Sequence, residues 1–226
     1  RTITVPEGLR LEEIAKRVAE SQLATADGVL AMAAKPHTFA GDVEFDLPES
    51  GLEGYLLPET YEFALDADAQ QIVARMVREL EREFVRPNPE AIAGSKLNLH
   101  EIITLASLVE REARMGDERA TIAGVLTNRL DIGMKLQCDA TVQYALDEHK
   151  PRLTFDDLKV DSPYNTYLHE GLPPGPIAAP GLACLEAALH PAQTDALFYV
   201  ARPDGRHVFT RTYEEHLAAI RRIRGE

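Results

Sequence analysis

The spacing of apolar positions divides the chain into short extended runs and strongly periodic helices. Residues 2–5 (TITV) predict a strand. After a PEG turn, residues 9–22 predict an amphipathic helix with Leu11, Ile14, Ala15 and Val18 on one side. A shorter helix is expected over 25–34, begun by Thr25 or Asp27. Residues 35–54 are turn-rich. YLLPETYEF (55–63) is extended, and Pro58 makes it an edge strand or a bulge. The first sixty or so residues thus read as a βααβ unit. Residues 67–86 follow as a long helix, with Ile72, Met76, Leu80 and Phe84 at four-residue steps. Residues 87–98 read as a linker.

The next helix, over 99–113 (LHEIITLASLVEREA), is the most informative. Wound at about 100° per residue, it puts Leu99, Ile102, Ile103, Ala106, Val109 and Ala113 on one arc. Glu110 falls inside that arc, between Leu99 and Ile103, while Glu112 falls at its edge near Leu105 and Glu101. A carboxylate among apolar groups resists ionisation and suits a general acid. An ion pair with a distant arginine is the competing reading. A further helix is expected over 117–131, with Ile122, Val125, Leu126 and Leu130 inward and Gly133 ending it.

Beyond 134 the pattern loosens. MKLQCDATVQYAL mixes two periodicities, and Thr154 with Asp157 forms a cap pattern. Residues 162–181 hold five prolines and three glycines, which excludes a regular element. Tyr164, Asn165, Thr166 and Tyr167 in this stretch mix hydrogen-bonding groups with aromatic faces. Such a mixture suits a sugar, and equally suits a turn stabilised by its own side chains. Gln137 and Asp139, just past a helix-ending glycine, are candidate cleft residues or loop caps. A short helix over 182–189, a hairpin around Pro203-Asp204-Gly205-Arg206 and a helix from about Tyr213 to Ile223 complete the chain.

Composition narrows the function classes. The chain has 226 residues, 45% of them hydrophobic, which suits one large domain or two small ones. A net charge of −13, with no long basic block among 24 basic residues, argues against nucleic acid as a partner and against anionic membrane surfaces. Two cysteines, Cys138 and Cys184, allow one disulfide but read more simply as unpaired core residues. The histidines at 37, 100, 149, 169, 190, 207 and 216 form no ligand pair on one helical face, so no metal is expected. Phosphate-binding glycine loops and a Gly-x-Ser-x-Gly elbow are absent. No apolar run is long enough to span a membrane.

Several strings then align with one family. ASLVEREA, ERATIAGVLTNRLDIGMKLQCDATVQYAL, SPYNTYLHEGLPPGPIAAPGLACLEAALHP and FYVA…HVFTRTYEEH follow in order, with LEGYLLPETY upstream. Together they resemble the YceG-like, or MltG, endolytic murein transglycosylases over roughly 51–216. Cys138 departs from the family pattern, where a small polar residue such as Thr is expected. The resemblance implies an α+β fold: a LysM-like βααβ subdomain over 1–50, its boundary between 45 and 66, then a mixed, helix-rich catalytic domain over 51–226. It implies a bacterial protein on the extracytoplasmic face of the inner membrane, with a single-pass anchor expected before Arg1. Glu110 becomes the catalytic residue, with Gln137, Asp139, Tyr164, Asn165, Thr166 and Tyr167 binding substrate and no cofactor. The implied substrate is the peptidoglycan glycan strand, with cell-wall synthases (penicillin-binding proteins) as candidate partners. The implied reaction cleaves the MurNAc–GlcNAc bond within strands to give 1,6-anhydroMurNAc ends and so terminates elongation. A non-catalytic glycan-binding scaffold is an alternative. A lysozyme-like hydrolase is another, with Glu112, Asp139 or Glu59 as its second carboxylate.

Overall fold

The structure, a computed structural model, describes residues 1–146 and 150–225. Its first unit is the expected βααβ. Strand β1 (Thr2–Thr4) leads into helices α1 (Leu11–Glu20) and α2 (Ala26–Ala33), and β2 (Thr60–Glu62) returns antiparallel to β1. Ile3 pairs with Tyr61 and both are buried, while Thr4 and Thr60 face out and share a 3.0 Å hydrogen bond. This alternation follows from the two-residue period of a strand. The pairing with β2 carries the unit past residue 50 to Glu62, and β2 begins only after Pro58. Helix α2 is capped by Thr25, whose hydroxyl accepts from the Gly28 N–H at 3.1 Å.

Helix α3 (Ala69–Leu80) starts at a capping box of Asp68 and Gln71 and continues as one π turn over Glu81–Val85. The segment expected as a linker contains a short helix, α4 (Pro89–Gly94). Pro89 suits its first turn, where no N–H is needed.

Helix α5 (Leu99–Glu112) starts at an Asn98–Glu101 capping box. Every residue from Ile102 to Val109 is buried, so it is a central helix rather than an amphipathic one. It packs against α8 (Leu182–Leu189), α6 (Arg119–Asp131) and α7 (Asp139–Ala145). Strands β3 (Phe198–Ala201) and β4 (His207–Thr210) form the expected antiparallel hairpin, with helix α9 (Tyr213–Arg224) packed against it. Cys138 and Cys184 are both buried free thiols.

One apolar cluster runs from Ile3 to Leu189, so the βααβ unit and the helices share a core. Backbone bonds join them directly. Gly8 N–H donates to the Ala179 carbonyl, and Ala179 N–H donates to the Leu9 carbonyl, both at 2.8 Å. The proline-rich loop is fixed to α5 as well, because Ile177 N–H donates to Ser107 Oγ at 3.1 Å.

Gly54 lies where these parts meet. Its φ of +79° favours glycine, and a Cβ there would overlap the Pro176 ring. Gly54→Ala is therefore expected to destabilise the fold by about 2 kcal/mol, from left-handed strain plus overpacking. Urea denaturation would measure it, and an unchanged midpoint would refute the close approach.

Candidate active site

The last turn of α5 emerges from the core beside a cavity of about 490 Å³. Glu112, Gln137, Asp139 and Tyr167 line it together with residues of the β3–β4 hairpin and α9. Glu112 is the acid that α5 delivers to this cavity. Burial pushes its carboxyl up from 4.5 to about 7. The nearby Asp139 charge pushes the same way. A hydrogen bond from the Tyr199 hydroxyl, the Arg129 guanidinium and the Ala140 N–H oppose it. The Tyr199 hydroxyl donates to Glu112 Oε2 at 3.1 Å.

Glu110, the expected catalytic residue, is not among the residues that line this cavity. Two positions apart on a helix is about 200° of rotation. Its Oε2 accepts from the Gly181 N–H at 3.0 Å. Gly181 is the cap residue of α8, and a helix N-terminus is a favourable place for a negative charge. A Cβ at Gly8 would lie 3.6 Å from Glu110 Cγ, so the acid also packs against the PEG turn. The neighbouring Cys184 thiol is pushed up by burial and by the Glu110 charge. Glu110 thus serves the junction between α5, α8 and the βααβ unit.

The remaining candidates separate into two groups. Gln137 and Asp139 are exposed within the cavity, and the Tyr167 hydroxyl donates to Asp139 Oδ1 at 2.6 Å. Asn165 and Thr166 are buried and hold backbone. The Asn165 amide donates to the Leu158 and Val160 carbonyls at 3.0 and 2.9 Å. Thr166 Oγ1 accepts from Cys138 N–H at 3.0 Å, and its carbonyl accepts from Gln137 N–H at 3.1 Å. These bonds hold Gln137 at φ +51°, a conformation unusual for a residue with a side chain. Tyr164 packs on Tyr144 with ring centroids 4.7 Å apart and lies outside the cavity. Glu59 is exposed and also outside it.

Arg129 and the hairpin residues were not singled out by the sequence. Arg129 does carry a signal, since it sits on the Ile122–Val125 face of α6. It is buried, donates to the Leu197 and Leu136 carbonyls at 2.6 Å each, and lies over the Phe198 ring. His207 also lines the cavity. Its Nδ1 is 2.8 Å from Glu118 Oε2, and its backbone N–H donates to the same carboxylate. No local sequence signal ties Glu118 to His207, because 89 positions separate them. Among the described residues no group of three or more His, Cys, Asp or Glu side chains could hold a metal, and His149 lies outside them.

Fold and site together define an α+β protein whose central helix ends in an acid at an open, polar cleft. The chain belongs to the YceG-like family, which it matches over residues 1–222. It is 39% identical over 227 residues to a Bacillus subtilis protein named endolytic murein transglycosylase, covering 95% of this chain and 62% of that protein. A Streptococcus pneumoniae protein of the same name is 31% identical over 239 residues, covering 95% of this chain and 43% of that one. The chain thus spans between about two fifths and three fifths of these relatives. The crystal structure of the yceG-like protein lmo1499 from Listeria monocytogenes superposes with a TM-score of 0.86. It shares 38% identity, over 96% of this chain and 75% of that one.

Proposed function

We propose that this chain carries the catalytic part of an endolytic murein transglycosylase and that Glu112 is its acid and base. The single observation that carries the residue assignment is the Glu112 carboxyl. It is pushed up to about 7 at a cavity shared with Gln137, Asp139 and Tyr167. The substrate class comes from the names of the relatives.

In this reading Glu112 enters protonated and donates to the glycosidic oxygen between MurNAc and GlcNAc. As the bond breaks, positive charge develops at the muramic C1. The Asp139 carboxylate, held by the Tyr167 hydroxyl, supplies a negative field beside it. Glu112, now a carboxylate, removes the proton from the C6 hydroxyl of the same muramic residue. The C6 oxygen bonds to C1 and closes the 1,6-anhydro ring. No water is consumed, and the internal nucleophile has a high effective concentration. Cleavage within strands would limit glycan length.

The amino-terminal βααβ unit we read as LysM-like. Action outside the cytoplasmic membrane and partnership with cell-wall synthases follow from the same reading. No helix among the described residues is long and apolar enough to cross a membrane.

A second reading is favoured by Asp139, which supplies the cleft with another carboxylate, as a hydrolase requires. Digestion of purified, peptide-free glycan strands with mass analysis of the ends separates the two. Anhydro ends are expected. Reducing ends would assign a hydrolase with Asp139 as partner, and intact strands would leave only binding.

A further inference from the structure

We propose that Phe198, Tyr213 and His216 form a stacking shelf that binds a sugar ring of the glycan in the cleft that Gln137 and Asp139 also line. The inference rests on the reading of the cleft as a glycan site and adds a saccharide subsite to it.

Three aromatic rings from two elements meet here. The Phe198 and His216 rings stack at 5.3 Å and 26°, and the Tyr213 centroid lies 5.8 Å from Phe198 and 6.3 Å from His216. All three line the same cavity as Glu112. Tyr213 is 60% exposed, which is unusual for a large aromatic that could have packed inward. Its backbone is nonetheless fixed, because it is the first residue of a helix locked by a capping box, and its ring rests against Phe198 and His216. Thr212 Oγ1 accepts from Glu215 N–H at 3.2 Å, and Glu215 Oε2 accepts from Arg211 N–H at 2.9 Å and Thr212 N–H at 3.2 Å. Exposed aromatic area held rigidly beside a cleft loses little conformational entropy when a ligand covers it.

The rings are also set up from below. The Arg129 guanidinium lies over Phe198 at 5.4 Å and is itself tied to two carbonyls, so Phe198 has one face covered. His216 Nδ1 is buried and has no hydrogen-bond partner among the described residues. Burial and the Arg129 charge lower the His216 pKa, which disfavours a positive charge on the shelf. A pyranose suits the exposed rings. Its axial C–H face is apolar and covers the rings, while its ring-edge hydroxyls reach polar groups.

The test is a titration with a peptide-free tetrasaccharide of alternating GlcNAc and MurNAc, in the Glu112→Gln background so that the ligand survives. Adding Tyr213→Ala is expected to weaken binding about tenfold, and Tyr213→Phe to stay within about twofold of the parent. Circular dichroism confirms that each variant is folded. Unchanged affinity in Tyr213→Ala would overturn the shelf, as would an equal loss in Tyr213→Phe or no binding by the parent. Failure of the cleavage reading shows separately, as intact long strands after digestion by the unsubstituted protein, and the titration then still reads binding.

Discussion

Glu112→Gln is expected to abolish strand cleavage, with at least a thousandfold loss in kcat, while Glu110→Gln keeps it within a fewfold. A positioned general acid contributes about 10²–10⁴. Here one group gives and then takes the proton, so the loss falls at the upper end. The amide introduced by Glu112→Gln keeps the shape of the side chain. Its carbonyl can still accept from the Tyr199 hydroxyl, which now donates to Glu112 at 3.1 Å. Binding and fold should survive. The amide introduced by Glu110→Gln can likewise accept from the Gly181 N–H, the bond that Glu110 makes at 3.0 Å. Its loss of charge at the α8 N-terminus is worth about 0.5–1 kcal/mol of stability. The measurement is release of anhydro ends by each variant, with a melting curve for each. Normal turnover in Glu112→Gln together with a dead Glu110→Gln would reverse the assignment.

The sequence favours Glu110 over Glu112, whereas Glu112 is the acid that lines the cavity, and the reason is physical. A helical wheel ranks faces by contrast between apolar and polar positions. Helix α5 has no such contrast over Ile102–Val109, since it is buried all round. The cleft opens only past its last turn, and its walls come from α7, the β3–β4 hairpin and α9, far along the chain. Local signals fared better where local bonds decide the outcome. The cap expected at Thr25 marks a true helix start. The short helix α4 escaped notice because six residues show too little periodicity. The string Tyr164-Asn165-Thr166-Tyr167 looked like one binding surface. Its members split because Asn165 and Thr166 turn inward to hold backbone, and only Tyr167 reaches the cavity. The two orphaned roles, Arg129 and His207, depend on partners 68 and 89 positions away.

The alkaline limb of kcat/KM should fall about tenfold per pH unit above about 7, because only protonated Glu112 can start the reaction. The sign of each perturbation can be tested on that limb. The Tyr199 hydroxyl stabilises the carboxylate, so Tyr199→Phe should move the limb to higher pH. The Asp139 charge destabilises the carboxylate, so Asp139→Asn should move it lower. The same proton links pH to stability. Glu112 titrates at 4.5 unfolded and about 7 folded, so the folded state holds the proton more tightly. Its contribution is fully present below about 4.5 and is lost as pH rises through about 7. After allowance for solvent at the cleft, that loss is about 2 kcal/mol. Glu53, also pushed up to about 7 by burial, adds a slope of the same sign. Comparing the parent with Glu112→Gln isolates the Glu112 share. The variant's melting temperature should fall less between pH 5 and 8 than the parent's. Equal slopes in the two proteins would mean that Glu112 ionises as freely folded as unfolded, and the proton donor would then have to be sought elsewhere.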